Sequence, residues 1–511
     1  MGRCGGGVDS QHPESGVTRP TTAIARHTLA YATGSIVGGI TRAVLLPIVA
    51  RRLAPEEFGV YSLLLAATNL LHLFFEPGLV QGMIKFHHES TDPKERRRIR
   101  SVLFVGMPLL DLALAVPVLL GRGLLSRVLF GTPEHGHLIA IAALIAFFAA
   151  QFQLYLGHLR ADDRSRQFAL LMAIRGAISL TATFLLVVAW GGGLIEFLLG
   201  NLMGPATVAL IAIPRHLWRE GIDLSGARER MKQLLHFGFP LLPAALGLWT
   251  LTYIDAYLLR ILSGLDSVGI YNFGSEICIP VALMMGAITL AWPSFAFARA
   301  RDPDGPAVIA RVFRHLFIAL IAGALAIALL RREILAVVGS PTFHDSLRLV
   351  PLLALSTCLY GAATVFGIGL QITGATKKLP GLVLSAIALN ALLNFILIPR
   401  LDEMGAAVAT VTTNLLLAAA VLRVSQREYR VPYEVGKLVA TIAAAAAVLA
   451  TGELIGDAGL LRGAAARLAI LAIFPAALAG LRAVSVSELR AVPRVVMEIA
   501  RGEAAQRRSI V

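Results

Sequence analysis

Apolar stretches of membrane-spanning length alternate with short polar segments along almost the whole chain. They run over residues 28 to 50, 59 to 84, 101 to 121, 137 to 159, 168 to 190 and 193 to 214, and after a basic interruption over 236 to 259, 268 to 296, 306 to 330, 347 to 372, 379 to 399, 404 to 424, 434 to 456 and 461 to 482. About 20 apolar residues cross a bilayer as a helix, so the pattern predicts fourteen transmembrane helices. The strict apolar–polar alternation of a membrane barrel is absent. Pro108, Pro117, Pro240, Pro243, Pro280 and Pro293 fall inside these stretches, where neighbouring helices can satisfy the carbonyls they free.

Composition agrees with lipid as the solvent. Of 511 residues, 56% are hydrophobic and 15% charged, against about 25% charged in soluble proteins, and mean hydropathy is +0.72. This excludes an ordinary soluble enzyme and leaves no room for a sizeable extramembrane domain. The formal charge of +14 could serve nucleic acid or anionic lipid. The charges sit in short clusters between apolar stretches, such as Lys94, Arg96, Arg97, Arg98 and Arg100, which argues for a basic membrane face and against nucleic acid. Cys4, Cys278 and Cys358 are too few and too scattered for a disulfide framework or a metal knuckle, and neither cofactor nor metal is expected. The first 25 residues, rich in Gly, Pro, Ser and Thr, lack the apolar core of a cleavable signal peptide.

Cytoplasmic loops retain Lys and Arg. With the N-terminus inside, thirty-three of the 46 Lys and Arg fall on the cytoplasmic side and eleven on the other, with Arg42 and Arg175 inside helices. Both termini are therefore expected in the cytoplasm. Sliding the chain on itself by about 210 residues places Phe58-Gly59-Val60-Tyr61 on Val268-Gly269-Ile270-Tyr271 and Glu56 on Asp266. A shift of 213 places Gln151 on Thr364, His158 on Gln371, Arg164 on Lys377 and Asn201-Leu202 on Asn414-Leu415. The expected fold is all-α integral membrane: two pseudo-equivalent six-helix bundles around a central cavity, related by an axis along the membrane normal, plus two extra C-terminal helices. The divisions are a disordered cytoplasmic N-terminus over 1–25, bundles over 26–214 and 236–425 joined by a linker over 215–235, helices 13 and 14 within 426–484, and a cytoplasmic tail over 485–511.

Polar side chains at membrane depth face a bundle interior or a water-filled path, because lipid exposure costs about 2.5–3.5 kcal/mol or more for a charge. Thr28, Tyr31, Ser35, Gly38 and Arg42 form one stripe of crossing 1. Crossing 2 carries Ser62, Asn69, His72 and Glu76, crossing 4 Gln151, Tyr155 and His158, and crossing 10 Thr357, Tyr360, Thr364, Gly367 and Gln371. Crossings 7 and 8 add Thr252, Asp255, Asn272 and Glu276. Small polar residues also serve plain helix packing, but buried ions such as Arg42, Glu76, Asp255 and Glu276 are costly without a use. Arg175 and Glu196 could pair with each other or sit near an interface, and Asn390 and Asn394 are placed for interhelical hydrogen bonds.

Four stretches carry a family resemblance: RLAPEEFGVY (52 to 61), EPGLVQGMIKF (76 to 86), LRADDRSRQFALL (159 to 171) and NALLNFILIPRLDEMGAAVAT (390 to 410). In this order they resemble the polysaccharide transporters and O-antigen flippases of the multidrug/oligosaccharidyl-lipid/polysaccharide exporter superfamily. The resemblance implies two bundles forming a V and passage of a polyprenyl-diphosphate-linked oligosaccharide across the bacterial inner membrane. It also implies cavity arginines that meet the diphosphate, with Arg42 fitting by depth and Arg260, Arg51 or Arg52 as further candidates. Tyr257 stands where a second basic residue often follows the Asp. The expected substrate cavity comprises Ser35, Arg42, Asn69, Glu76, Gln151, Arg260 and Gln371, with Asp255 and Glu276 as ion-coupling candidates. Partners would be the lipid-linked oligosaccharide and membrane lipids, with transient contact to a polymerase or glycosyltransferases, around a monomer.

Two other readings compete. A membrane sugar transferase could use Asp162-Asp163, but Arg164 and Arg166 flank that pair, the loops are short and no glycine-rich phosphate cradle occurs. His87-His88-Glu89 point in different directions on a helix and do not make a metal site. An ion-coupled exporter of small molecules on the same scaffold is the sharper rival, since fold does not dictate cargo.

Overall fold

The structure is a computed structural model that describes residues 41, 44–456, 459–481 and 483–484. Ser35, Arg42, the expected tail over 485–511 and much of crossing 1 lie outside the described residues. Every regular element among the described residues is helical. Twelve helical stretches among them are long and apolar enough to cross a membrane.

That count differs from fourteen at two places. Crossing 1 is largely undescribed, and crossings 11 and 12 form one stretch, Thr376–Glu428. Its main helix, Leu379–Glu428, breaks at Asp402, where φ is 49° and ψ is −131°. The chain doubles back there: a Cβ on Gly405 would stand 2.5 Å from the Leu397 carbonyl oxygen, whereas eight residues of straight helix span about 12 Å.

The first half contains α1 (Pro55–Phe75), α2 (Leu79–Glu89), α3 (Pro93–Ser101), α4 (Met107–Leu120), α5 (Gly136–Ala161), α6 (Ser165–Thr183) and α7 (Leu194–Glu220). Pro55 opens α1, and Glu57 reaches back to accept from Ala54 N at 3.0 Å, a start built from proline geometry and a returning carboxylate. Crossing 2 breaks after α1 because Pro77 brings no N–H and Gly78 takes φ 67°. Glu76 then accepts from Val80 N at 2.7 Å and restarts the helix as α2.

The second half contains α8 (Ala227–Gly238), α9 (Leu242–Leu262), α10 (Leu265–Ile277), α11 (Ile279–Arg299), α12 (Gly305–Leu329), α13 (Val350–Phe366) and α14 (Leu379–Glu428). Helix fills most of the expected 215–235 linker and leaves residues 221–226 as loop. Crossing 8 divides at Cys278, just ahead of Pro280.

The halves meet through their repeated residues, α1 packing along α10. A Cβ on Gly59 would lie 2.2 Å from the Leu265 carbonyl oxygen, and a Cβ on Gly269 would lie 1.9 Å from that of Pro55. Pro55 and Leu265, like Gly59 and Gly269, occupy the repeat offset of 210 residues. The contact is thus the same patch used twice, as a two-fold axis demands. At the other, basic end, α3 reaches the second half through Arg230–Glu95 and meets the loop after α7 through Arg98 Nε–Asp223 at 3.0 Å. Hydrogen bonds from Ser225 and then Arg98 hold the Asp223 carboxyl down at about 2, so that contact stays charged at any pH a membrane meets.

Helices α15 (Val435–Glu453) and α16 (Leu460–Leu471) pack on α12. Arg314–Glu434, Arg331–Glu453 and Arg467–Glu333 pair across these contacts. Arg314 and Arg467 are 4% and 5% exposed, so each needs its carboxylate.

Candidate functional site

Two cavities flank the packed helices α1 and α10. The first, of about 250 Å³, is walled by crossing 1, α1, α6, α7 and the end of α10. The second, of about 430 Å³, is walled by α9, α10, α13 and α14. Their linings correspond at the repeat offsets: Thr41 with Leu251, Leu45 with Asp255, Tyr61 with Tyr271, Leu65 with Ser275, Phe197 with Thr410 and Asn201 with Asn414. Glu276 lines both.

The cavities differ in charge. In the second, Asp255 is 4% exposed and held entirely by neutral groups. It accepts from Asn394 Nδ2 at 2.6 Å, Thr410 Oγ1 at 2.6 Å and Tyr271 OH at 3.0 Å. Asn394 also donates to Asn390 Oδ1 at 3.0 Å, while its own Oδ1 is buried without a partner. The i, i+4 spacing of Asn390 and Asn394 puts both amides on one face of α14, and the reversal at Asp402 brings Thr410 beside them. Asp255 therefore does not pair with Arg260. In the first cavity Arg175 joins Glu276 in the lining, and its guanidinium lies 5.1 Å from the centre of the Phe152 ring. Glu196 does not pair with it: that carboxylate accepts from Gly193 N at 2.8 Å and starts α7.

The other expected site residues are dispersed. Asn69 donates to Tyr253 OH at 2.9 Å and links α1 to α9 beside the second cavity. Glu76 serves the α2 start. Gln151 donates to Asp111 at 2.7 Å inside the first half, with both buried, and lines neither cavity. Arg260 donates to Arg127 O at 3.3 Å, also outside both. Gln371 lines a third, largely apolar cavity of about 600 Å³ together with Thr364 and Gly367, and Tyr360 forms the wall this cavity shares with the second. His87 and Asp162, distant in sequence, approach to 3.5 Å in a basic-end cluster where Arg100 holds Glu220 at 2.6 Å. Among the described residues no three metal-ligating side chains gather. Sequence reasoning left out Tyr271, Thr410, Asn201 and Asn414, all of which the repeat or the NALLN…GAAVAT run had already singled out.

A bundle of spanning helices with two related cavities defines a multi-pass membrane transporter fold. The sequence profile described as polysaccharide biosynthesis protein matches residues 24–296, and the chain belongs to that family. The fold is shared with the lipid II flippase MurJ in an inward closed conformation, at 14% identity and TM-score 0.68 over 89% of this chain and 99% of that one. It is also shared with an inward-facing multidrug resistance MATE family transporter of the MOP superfamily, at 13% identity and TM-score 0.59 over 81% and 99%. A third likeness is a MOP superfamily transporter from Pyrococcus furiosus described as having a binding pocket of reverse polarity, at 15% identity and TM-score 0.52 over 83% and 97%. No curated protein sequence matches the chain.

Proposed function

We propose that this protein is an alternating-access flippase, not an enzyme, that carries a polyprenyl-diphosphate-linked oligosaccharide across the bacterial inner membrane, with its basic end and both termini in the cytoplasm. The observation that carries the reading is the pair of pseudo-equivalent cavities beside the glycine contact of the two halves, in a chain of the polysaccharide biosynthesis family. Alternating access needs halves that rock about a site near the bilayer midplane. The closest approach is backbone on backbone at Gly59 and Gly269, beside the ring contact of Phe58 with Phe273, so the halves share a small seam about which they can rock.

Directional transport needs a source of free energy, and Asp255 is placed to couple one. A desolvated carboxylate among neutral oxygen and nitrogen groups favours taking up a proton or a small cation. Turning the Asn394 amide would aim its unpartnered oxygen at the same point. Glu276, on the wall shared by both cavities, is the second coupling candidate. The test is reconstitution in liposomes with a fluorescent polyprenyl-diphosphate disaccharide, read by leaflet-specific quenching under imposed proton, sodium or electrical gradients. Transfer accelerated by one gradient is expected. Inert lipid-linked sugar together with gradient-driven efflux of small cations would replace this reading with the drug-exporter one.

A further inference from the structure

We propose that Asp111 and Gln151 form a proton-binding site inside the first half: the Asp111 carboxyl carries a proton, donates it to the Gln151 amide oxygen, and releases it when α4 and α5 part. Asp111 stands nine residues before the end of the spanning stretch Pro93–Leu120, and Gln151 ten residues before the end of Gly136–Ala161. At 1.5 Å per residue each lies about 14 to 15 Å from its nearer helix end, half of a hydrocarbon core about 30 Å thick. The two helices run in opposite directions, so both counts give the pair the same depth.

Burial leaves an ionised carboxylate here short of donors. Asp111 is 0% exposed and Gln151 3%, with Ala115 one turn from the acid and Ala150 beside the amide in a buried apolar cluster. A carboxylate can accept about four hydrogen bonds, yet Asp111 receives one, from Gln151 Nε2 at 2.7 Å. Asp255, by contrast, receives three donors. The Oδ1 of Asp111 and the Oε1 of Gln151 are both buried without a partner. One proton on Oδ1 serves the two orphans together: Oδ1–H donates to Oε1 while Nε2–H donates to the other carboxyl oxygen, the closed ring of a carboxylic acid with a primary amide.

The neighbouring elements bring no cation to replace that proton. Among the described residues Asp111 has no ion pair. Of the elements packed on α4, α1 and its end bring His72 and Glu76, α5 brings Tyr155 and His158 as the ionisable groups nearest Gln151, and the turn over residues 102–106 brings none. The short helix Arg122–Phe130 brings Arg122 and Arg127, both exposed. Glu76 is close enough for its charge to act on Asp111, and a proton on Asp111 removes the repulsion between the two carboxyls.

Packing alone does not call for the pair. At offsets of 210 and 213 Asp111 falls on Ile321 or Ala324, and the corresponding contact, α12 against α13, is made without any carboxyl in either helix. The helix that carries the acid is also interrupted. A π-helical turn over Val102–Gly106 precedes α4, and Pro108 and Pro117 each remove a backbone donor from it. Such breaks are where helices bend. When α4 swings from α5 and water enters, the Oδ1–H bond breaks, the proton passes to water and Asp111 is left as the carboxylate. The proton site stands on this geometry; that the transfer cycle uses its proton rests on the flippase reading.

The experiment records infrared spectra of the full-length protein in lipid nanodiscs at neutral pH, where a protonated carboxyl has a carbonyl band apart from carboxylate absorption. Subtracting Asp111→Asn from wild type should leave one such band. That variant should fold, because its new amide can donate to Gln151 Oε1 and close the same ring. Gln151→Leu should move the band to higher frequency by removing the N–H on the carboxyl, and this shift decides the matter if Asp111→Asn is not recovered monodisperse. In D2O the band should move down as the proton exchanges. No such band in wild type, or a band untouched by both variants, would overturn the protonated acid, and a band indifferent to D2O would overturn its release. In liposomes, acceleration of sugar-lipid transfer by a proton gradient should be lost in Asp111→Asn. Undiminished acceleration there would remove the site from the cycle and uphold the flippase reading, whereas an exchanging band in a protein that moves no sugar-lipid would uphold the proton site and remove that reading.

Discussion

At the scale of single residues, Asp255 and Arg175 are held in opposite ways. Asp255 is enclosed by Asn394, Thr410 and Tyr271, whereas Arg175 has a ring face and open space. Asp255→Asn should leave the protein inserted and folded, because the amide keeps the shape, but should abolish the acceleration of transfer by an ion gradient. Rates in liposomes that stay equally sensitive to the gradient would remove Asp255 from coupling. Asn394→Ala strips one donor from a buried carboxylate, and a loss of about 1–3 kcal/mol is expected in thermal melts.

Among the helices, glycines decide where the halves can touch. Gly59 and Gly269 leave no room for a Cβ, since the opposing carbonyl oxygens would lie 2.2 and 1.9 Å away. Gly269→Val should therefore push α10 from α1, cost about 1–3 kcal/mol by overpacking, and expose cysteines placed in the cavity to a thiol reagent applied from the non-basic side. Gly123→Ala, with nothing within 4 Å of the added carbon, serves as the control. Unaltered labelling in Gly269→Val would mean that this contact does not gate the cavity. The proline and glycine breaks at 77–78 and near Cys278 place Glu76 at a helix start and Glu276 at the end of α10, which periodicity alone could not show.

For the molecule as a whole, two predictions concern anchoring and orientation. Arg467 and Glu333 are both nearly buried. Glu333→Ala should cost about 3–5 kcal/mol by stranding a cation, while Glu333→Leu combined with Arg467→Met should recover most of the loss; melting temperatures of the three forms check this. Reporters fused at residue 508 and in the loop over 221–226 should both read as cytoplasmic. A periplasmic signal from either would invert or break the expected topology.

Hydropathy and alternate-loop charge sufficed for the all-α membrane class, because burial in lipid is a one-dimensional constraint: each spanning stretch must be apolar along its own length. The repeat was legible for a similar reason, since Gly59 and Gly269 recur within a short matching run, and so was the family. Which polar residues converge was decided only in three dimensions. Asp255 receives Asn394 and Thr410 because α14 reverses at Asp402; hydropathy marks the break between 399 and 404 but not which side chains the reversal brings together. Gln151 within a spanning stretch and Arg260 at the end of one had the right chemistry, yet local packing turns them to Asp111 and Arg127. Arg175 and Glu196 could be paired on paper, but a helix start claims Glu196 and Arg175 lines the cavity. Sequence periodicity determines which face of a helix is polar; only the packing of neighbours decides what that face meets.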